Sequence, residues 1–386
     1  MRRGHDKIPQ TKADGALLSD DSFAARNART KTRGIHVDHV GRRILLPPAD
    51  HNLAENAGHI PLKSASIFAE YEGPPGMESH QSTFAPDLSH LSRNEWLGAL
   101  KRIGEDQGFA EPMGKSHAAI FVEDGDTLIV SFESMSGIEA LSETRTPIGF
   151  DMVGGAGWSS LSLLSHGDTW FRDPRVYAFF DQLQDDGFFD EFETVLFFGA
   201  GPCGYAAGAY SVTAPGARVL MLQPQATLDP RVAEWDDRFA EERRRDFTSR
   251  YGFAPEMIDA ADKAWVIYDP RERLDAMHSA LFEKPNVTRY RAPFMGGALQ
   301  ADFRALDLLP GLFSAAAEDR LTPALFASML RARRDHPPYL RRLLHRLDAD
   351  GRTELTRILC ENVVARMHAP RFRRRLAQIE AADDEA

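Results

Sequence analysis

The chain has 386 residues, 43% of them hydrophobic, and a formal net charge of −11 at pH 7. That length and apolar content allow a substantial core, as one large domain with attachments or as two domains. The acidic balance excludes a general nucleic-acid or anionic-membrane binder, whose surface needs clustered positive charge.

Only two cysteines, Cys203 and Cys360, are present and they lie far apart. A disulfide framework is not expected, and a reducing cytoplasm is the compartment the sequence suggests. The N-terminus carries charges where a signal peptide has its apolar core, and no run reaches the roughly 18 to 20 apolar residues of a membrane span.

In chain order, residues 1–88 mix Lys, Arg, Asp, Gly, Pro and Ser without sustained periodicity and read as a disordered leader. From "LSRNEWLGALKRIGEDQGF" the pattern changes: Ser92 is a helix N-cap candidate, and Trp96, Leu97, Leu100 and Ile103 form a helical stripe. Apolar runs of strand length follow at His117–Val122, Thr127–Phe132, Leu161–Leu164, Thr194–Phe198, Ala217–Leu222, Lys263–Tyr268 and Val287–Tyr290. Helical segments separate the later runs, so residues 89–312 read as a doubly wound, mostly parallel α/β sheet covered on both faces. Residues 313–386 read as a helical region with Leu340, Leu343, Leu344 and Leu347 at helical spacing. Between Arg331 and Arg375 stand 13 Lys/Arg against 5 Asp/Glu. That local excess suits an acidic partner or a solvated face.

The stretch "VLFFGAGPCGYAAGAY", Val195–Tyr210, runs from a strand through glycines into a small-residue helix. Gly199, Gly201 and Gly204 satisfy G-x-G-x-x-G in the context of a dinucleotide turn, where helix-start amides hold a pyrophosphate. In that reading Gln223, at the end of the next strand, stands where a ribose-binding carboxylate is expected.

The segment from "LLSHGDTWFRDP" through "LQPQATLDP", with "VIYDPRERLDAMHSALF" and "VTRYRAPFMGGALQADF" beyond it, also resembles bacterial α/β-hydrolase-like proteins over residues 118 to 310. The resemblance implies a strand-to-helix elbow presenting a nucleophile. Residue by residue, the serine position falls on Gly201, the histidine position near Gly296 or Gly297, and the acid on Asp269 or Asp275. Glycine neither attacks a carbonyl nor carries a proton, so the resemblance implies a scaffold whose catalytic site is degenerate. Its expected role is that of an accessory protein for a small-molecule or polymer ligand, with no cofactor. Relatives sharing "GDTWFRDP" and "GAGPCGYA" resemble proteins labelled phosphoadenosine phosphosulfate reductase, yet that family's Ser-Gly-Gly-x-Asp-Ser loop and Glu-Cys-Gly-x-His motif are missing here.

Two rivals stay open. One is a hydrolase or acyltransferase using Cys203 at a helix N-terminus, with His166 or His278 as base and Asp269 as acid. The other is a nucleotide-binding oxidoreductase using the glycine turn. "FESMSG", residues 132–137, is a candidate oxyanion loop in which Glu133 caps a helix start. His166, Asp168, Trp170, Arg172 and Asp173 form a polar and aromatic group able to line a pocket, with Arg172 suited to an anion.

Overall fold

A computed structural model describes residues 84–384. The predicted leader lies outside the described residues except at its end, where Leu88 is buried and its N–H donates to Thr144 O at 2.9 Å. Packing therefore begins upstream of residue 89.

The apolar runs form strands: β1 Gly108–Met113, β2 His117–Val122, β3 Thr127–Ser134, β4 Ser159–Ser165, β5 Thr194–Ala200, β6 Arg218–Leu222, β7 Lys263–Tyr268 and β8 Val287–Arg291. They make one eight-stranded sheet in the order β1-β2-β4-β3-β5-β6-β7-β8. β1 pairs antiparallel with β2, and β2 with β4; every other pairing is parallel. β1 is the strand the sequence reading lacks. Its "GFAEPM" is largely exposed, buries only Met113 and contains a proline, so it shows neither an apolar run nor strict alternation.

Side chains alternate across the sheet, as the pleat requires. Val195 and Phe197 of β5 enter one core with Tyr205, Phe180 and Trp170. Leu196 and Phe198 enter the other with Phe303, Leu312 and Phe313. The second core also takes Leu340 and Leu344 from the helix Pro337–Ala349, and Cys360 and Val363 from the helix Thr353–Arg366. The C-terminal helices thus close one face of the sheet, and Cys360 is a fully buried member of that layer. Many arginines of this region pair within it, among them Arg346 with Asp350, Arg366 with Asp335 and Arg375 with Asp348. Among the described residues no helix is long and apolar enough to cross a membrane.

Two local features prepare the site. The helix Pro202–Tyr210 is small and apolar all round because it is buried on every side: a Cβ on Gly208 would stand 2.9 Å from Met221 Sδ. At the carboxyl edge, β3 and β4 end level, with Ser134 opposite Ser165, and β5 runs beside β3. That edge is where an open α/β sheet places its ligands.

Candidate functional site

β5 turns into the helix Pro202–Tyr210 through a single residue, Gly201, at φ 55° and ψ −124°. Any residue with a side chain is strained there, and the strand passes into the helix through a sharp bend. A Cβ on Gly201 would meet only Gln225 Oε1, at 4.0 Å, so the outer side of the bend is open.

Gly199 has a different reason to be glycine. A Cβ on it would lie 2.1 Å from Cys203 O and 2.8 Å from Gly204 N, so strand end and helix start touch through their backbones. Gly204 in turn packs against Pro224. The space above the turn's first glycine is thus filled by the chain itself.

The residue that follows Gly201 and opens the helix is Pro202, which has no backbone N–H. The backbone N–H of Ser134, the last residue of β3, faces the Cys203 thiol. Burial, reinforced by the Glu133 charge and opposed by that N–H, pushes the Cys203 thiol up to about 12. At neutral pH the group is a thiol. Desolvation outweighs the helix-terminus effect that would favour thiolate.

Asp269 follows β7 and is 1% exposed. Its Oδ1 accepts from Arg271 N at 2.9 Å, and its Oδ2 accepts from Gly296 N at 2.7 Å. Both oxygens therefore serve backbone donors, one of them in the loop where a catalytic histidine would stand. Gln223, at φ 42°, holds the same loop from β6: its Nε2 donates to Gly297 O, and its Oε1 accepts from Leu299 N at 3.0 Å. The loop keeps its place through these bonds with no imidazole in it.

The two candidate histidines go elsewhere. His166 is exposed past the end of β4, its Nδ1 accepting from Arg93 Nη2 at 3.0 Å. His278 is fully buried: Nδ1 accepts from Ala226 N at 3.2 Å, and Nε2 donates to Asp236 Oδ2 at 2.9 Å. These bonds fix the neutral tautomer, and burial lowers the imidazole pKa further. Asp275, the alternative acid three residues before it, takes Arg238 Nη1 at 2.7 Å, and the same guanidinium reaches Asp236 at 2.8 Å. Arg172 is likewise committed, donating to the carbonyls of Asp246 and Arg250 at 2.7 Å each and lying over the Tyr177 ring. Asp173 caps the helix Pro174–Asp185 through Arg175 N, as its Asp-Pro start predicts.

What the edge does gather is a pocket of about 160 Å³ between the ends of β3, β4 and β5. Cys203, Glu133, Ser134, Asp168, Trp170 and Gln300 line it. Glu133 is the residue the sequence reading undervalues. It is 7% exposed, and burial raises its carboxyl from 4.5 to about 7, against the hydrogen bonds that its Oε1 accepts from Ile148 N at 2.9 Å and Ser131 Oγ at 3.2 Å. A buried acid with a strongly shifted pKa in a cleft is a functional-site signal. The sequence offered only its position, one residue before a helix start at the end of an apolar run.

No protein-family model and no curated protein sequence matches the chain. Solved structures similar to it include EstE1, a thermophilic carboxylesterase cloned from a metagenomic library, at 11% identity and TM-score 0.35, covering 61% of this chain and 97% of that one. Carboxyl esterase 2 of the mycorrhizal fungus Tuber melanosporum is similar at 12% identity and TM-score 0.34, covering 57% and 80%. The capsule O-acetyltransferase of Neisseria meningitidis serogroup A is similar at 11% identity and TM-score 0.34, covering 52% and 91%. The mostly parallel eight-stranded sheet covered by helices is of the α/β-hydrolase type.

Proposed function

We propose that this chain is an accessory or ligand-binding protein built on an α/β-hydrolase-type scaffold and lacking the serine mechanism of that scaffold. The observation that carries the reading is the Gly201-Pro202 pair in the elbow: the first residue offers no nucleophile and the second no N–H to an oxyanion. Asp269 supports it, because each of its carboxylate oxygens accepts from a backbone donor, Arg271 N or Gly296 N, and neither from a histidine. Acyl transfer needs a nucleophile, a base and charge stabilisation, and each of these positions has lost its group here.

One observation favours a second reading, a Cys203-dependent hydrolase or acyltransferase: Cys203 lines the pocket beside Glu133, a carboxyl able to exchange a proton near neutral pH. Against it stands the thiol itself, held up to about 12 with no histidine among the pocket residues.

A panel of p-nitrophenyl esters and thioesters, read with wild type and Cys203→Ala, separates the two. No turnover above buffer by either protein is expected. Turnover that disappears in Cys203→Ala would establish the second reading and remove the first.

A further inference from the structure

The pocket between the ends of β3, β4 and β5 has a one-sided chemistry. Its lining contains two carboxyl groups, Glu133 deep in the wall and Asp168 exposed beside it, and no Lys, Arg or His. Phe132, Phe171 and the ring of Trp170 supply apolar wall, and Ser134, Ser165 and Thr169 supply hydroxyls; the buried Trp170 Nε1 has no hydrogen-bond partner among the described residues. An anionic ligand would meet two carboxyl groups and no cationic side chain in this lining.

Glu133 is more than nine-tenths buried, and its hydrogen bonds are unevenly shared. Oε1 accepts from both Ile148 N and Ser131 Oγ; Oε2 takes no hydrogen bond among the described residues. A buried carboxylate with one open oxygen is stabilised by a cation placed against it. The charged groups around it come from four elements. Arg304, on the helix Leu299–Ala305, is paired with Asp151 of the helix Ile148–Ala156 at 3.2 Å, Cys203 belongs to the elbow helix and Asp168 to the loop after β4. Arg304, the cation acting on Glu133 among the described residues, is thus engaged with another carboxylate, and the Cys203 thiol is uncharged at neutral pH. A net charge of −11 adds a general attraction for cations.

We propose that this pocket binds a small primary ammonium group on a short apolar stem, with the free oxygen of Glu133 as its counter-ion and Asp168 at its mouth. The inference deepens the ligand-binding reading and rests on it. The ammonium donates to Glu133 Oε2, and its methylene stem lies along Phe132, Trp170 and Phe171. Because the bound state needs Glu133 ionised while the free pocket holds it partly protonated at neutral pH, binding releases a proton.

The test is titration calorimetry of the full chain with n-butylammonium, n-butanol and butyrate, at fixed ionic strength from about pH 5 to about pH 8. Butylammonium is expected to bind with an affinity that rises about tenfold per pH unit up to roughly pH 7 and then levels, while butanol and butyrate give no heat. Glu133→Gln should abolish the pH dependence and weaken butylammonium at least about tenfold, and Asp168→Asn, at an exposed position, should weaken it a few-fold. The wild-type profile keeps the test valid if Glu133→Gln fails to fold. Butanol binding as tightly as butylammonium, an amine affinity independent of pH, or no amine binding at about pH 8 would each overturn the ammonium assignment and leave the ligand-binding reading in place. Cys203-dependent ester turnover in the same preparation would overturn that reading as well.

Discussion

Glu133 and Asp236 are both buried carboxyls, 7% and 0% exposed, on the same polypeptide, and their environments drive them in opposite directions. At Glu133 burial prevails over two hydrogen bonds and raises the carboxyl to about 7. At Asp236 burial also pushes upward, but hydrogen bonds from His278 and Arg238 overcome it and hold the carboxyl below the ordinary carboxylate range. The difference is the number of donors: Asp236 accepts from His278 Nε2 and from the backbone N, Nε and Nη2 of Arg238, whereas Asp275, with a single Arg238 nitrogen, still stays above its ordinary value. Asp236, Asp275, His278 and Arg238 form a network in which each buried charge has its partner; the pocket at the carboxyl edge leaves one oxygen of its acid unmatched. One region pairs its buried polar groups, and the other leaves one carboxylate oxygen open, which is the feature the proposed ligand would use.

The largest expected effect comes from unpairing the paired region. Arg238→Met removes the only guanidinium shared by Asp236 and Asp275, leaving two buried carboxylates uncompensated, and should cost about 3–5 kcal/mol in urea denaturation. A loss below about 1 kcal/mol would mean that the network is no more than a surface ion pair.

Glu133 makes the complementary case through pH. Its pKa is raised on folding, so between pH 4.5 and about 7 the folded protein holds a proton that the unfolded chain has lost. The stabilisation is fully present below the unfolded value and is lost as pH rises through the folded one, a contribution of about 3 kcal/mol at most. Comparing unfolding midpoints of wild type and Glu133→Gln across that interval isolates it. The variant should lack the decline, and parallel curves would show that Glu133 is not the group responsible.

Asp269 is expected to come next. Asp269→Ala strands the Gly296 and Arg271 N–H groups and should destabilise by about 2 kcal/mol. Hydrogen exchange at Gly296 should speed up, a change that a purely catalytic acid would not produce.

How legible this was depended on the range of the forces involved. The sheet was readable because β5, β6 and β7 are apolar throughout, and the elbow because Gly199, Gly201 and Gly204 mark a turn by their chemistry alone. The missing N–H of Pro202 is equally local, although it bears on an oxyanion only under the proposed reading of Gly201 as an emptied nucleophile position. Asp236 and His278 are 42 residues apart, and Arg238 and Asp275 are 37, so no local pattern in the sequence joins these partners. The character of Glu133 is likewise a property of enclosure, set by Ile148 N fifteen residues on and by the packing of β4 and β5. Propensity and periodicity carry no information about which buried acid is left without a cation.

The smallest expected change is also the one that tests the emptied turn most directly. Gly201→Ser places a hydroxyl where the backbone already has a nucleophile's angles and where nothing lies closer than Gln225 Oε1 at 4.0 Å, so the cost is the left-handed strain alone, about 1 kcal/mol. Ester turnover should nevertheless stay at the buffer rate. The new hydroxyl has no imidazole to take its proton at Gly296 or Gly297, and Pro202 cannot donate to the developing oxyanion. Because nucleophile, base and oxyanion donor act as a unit, restoring one restores little, and Gly201→Ser with Gly297→His should remain slow for want of the Pro202 N–H. Measurable turnover by the single variant would show that a base and a charge-stabilising donor already converge on the turn, and would make the pocket beside it a catalytic site missing one atom.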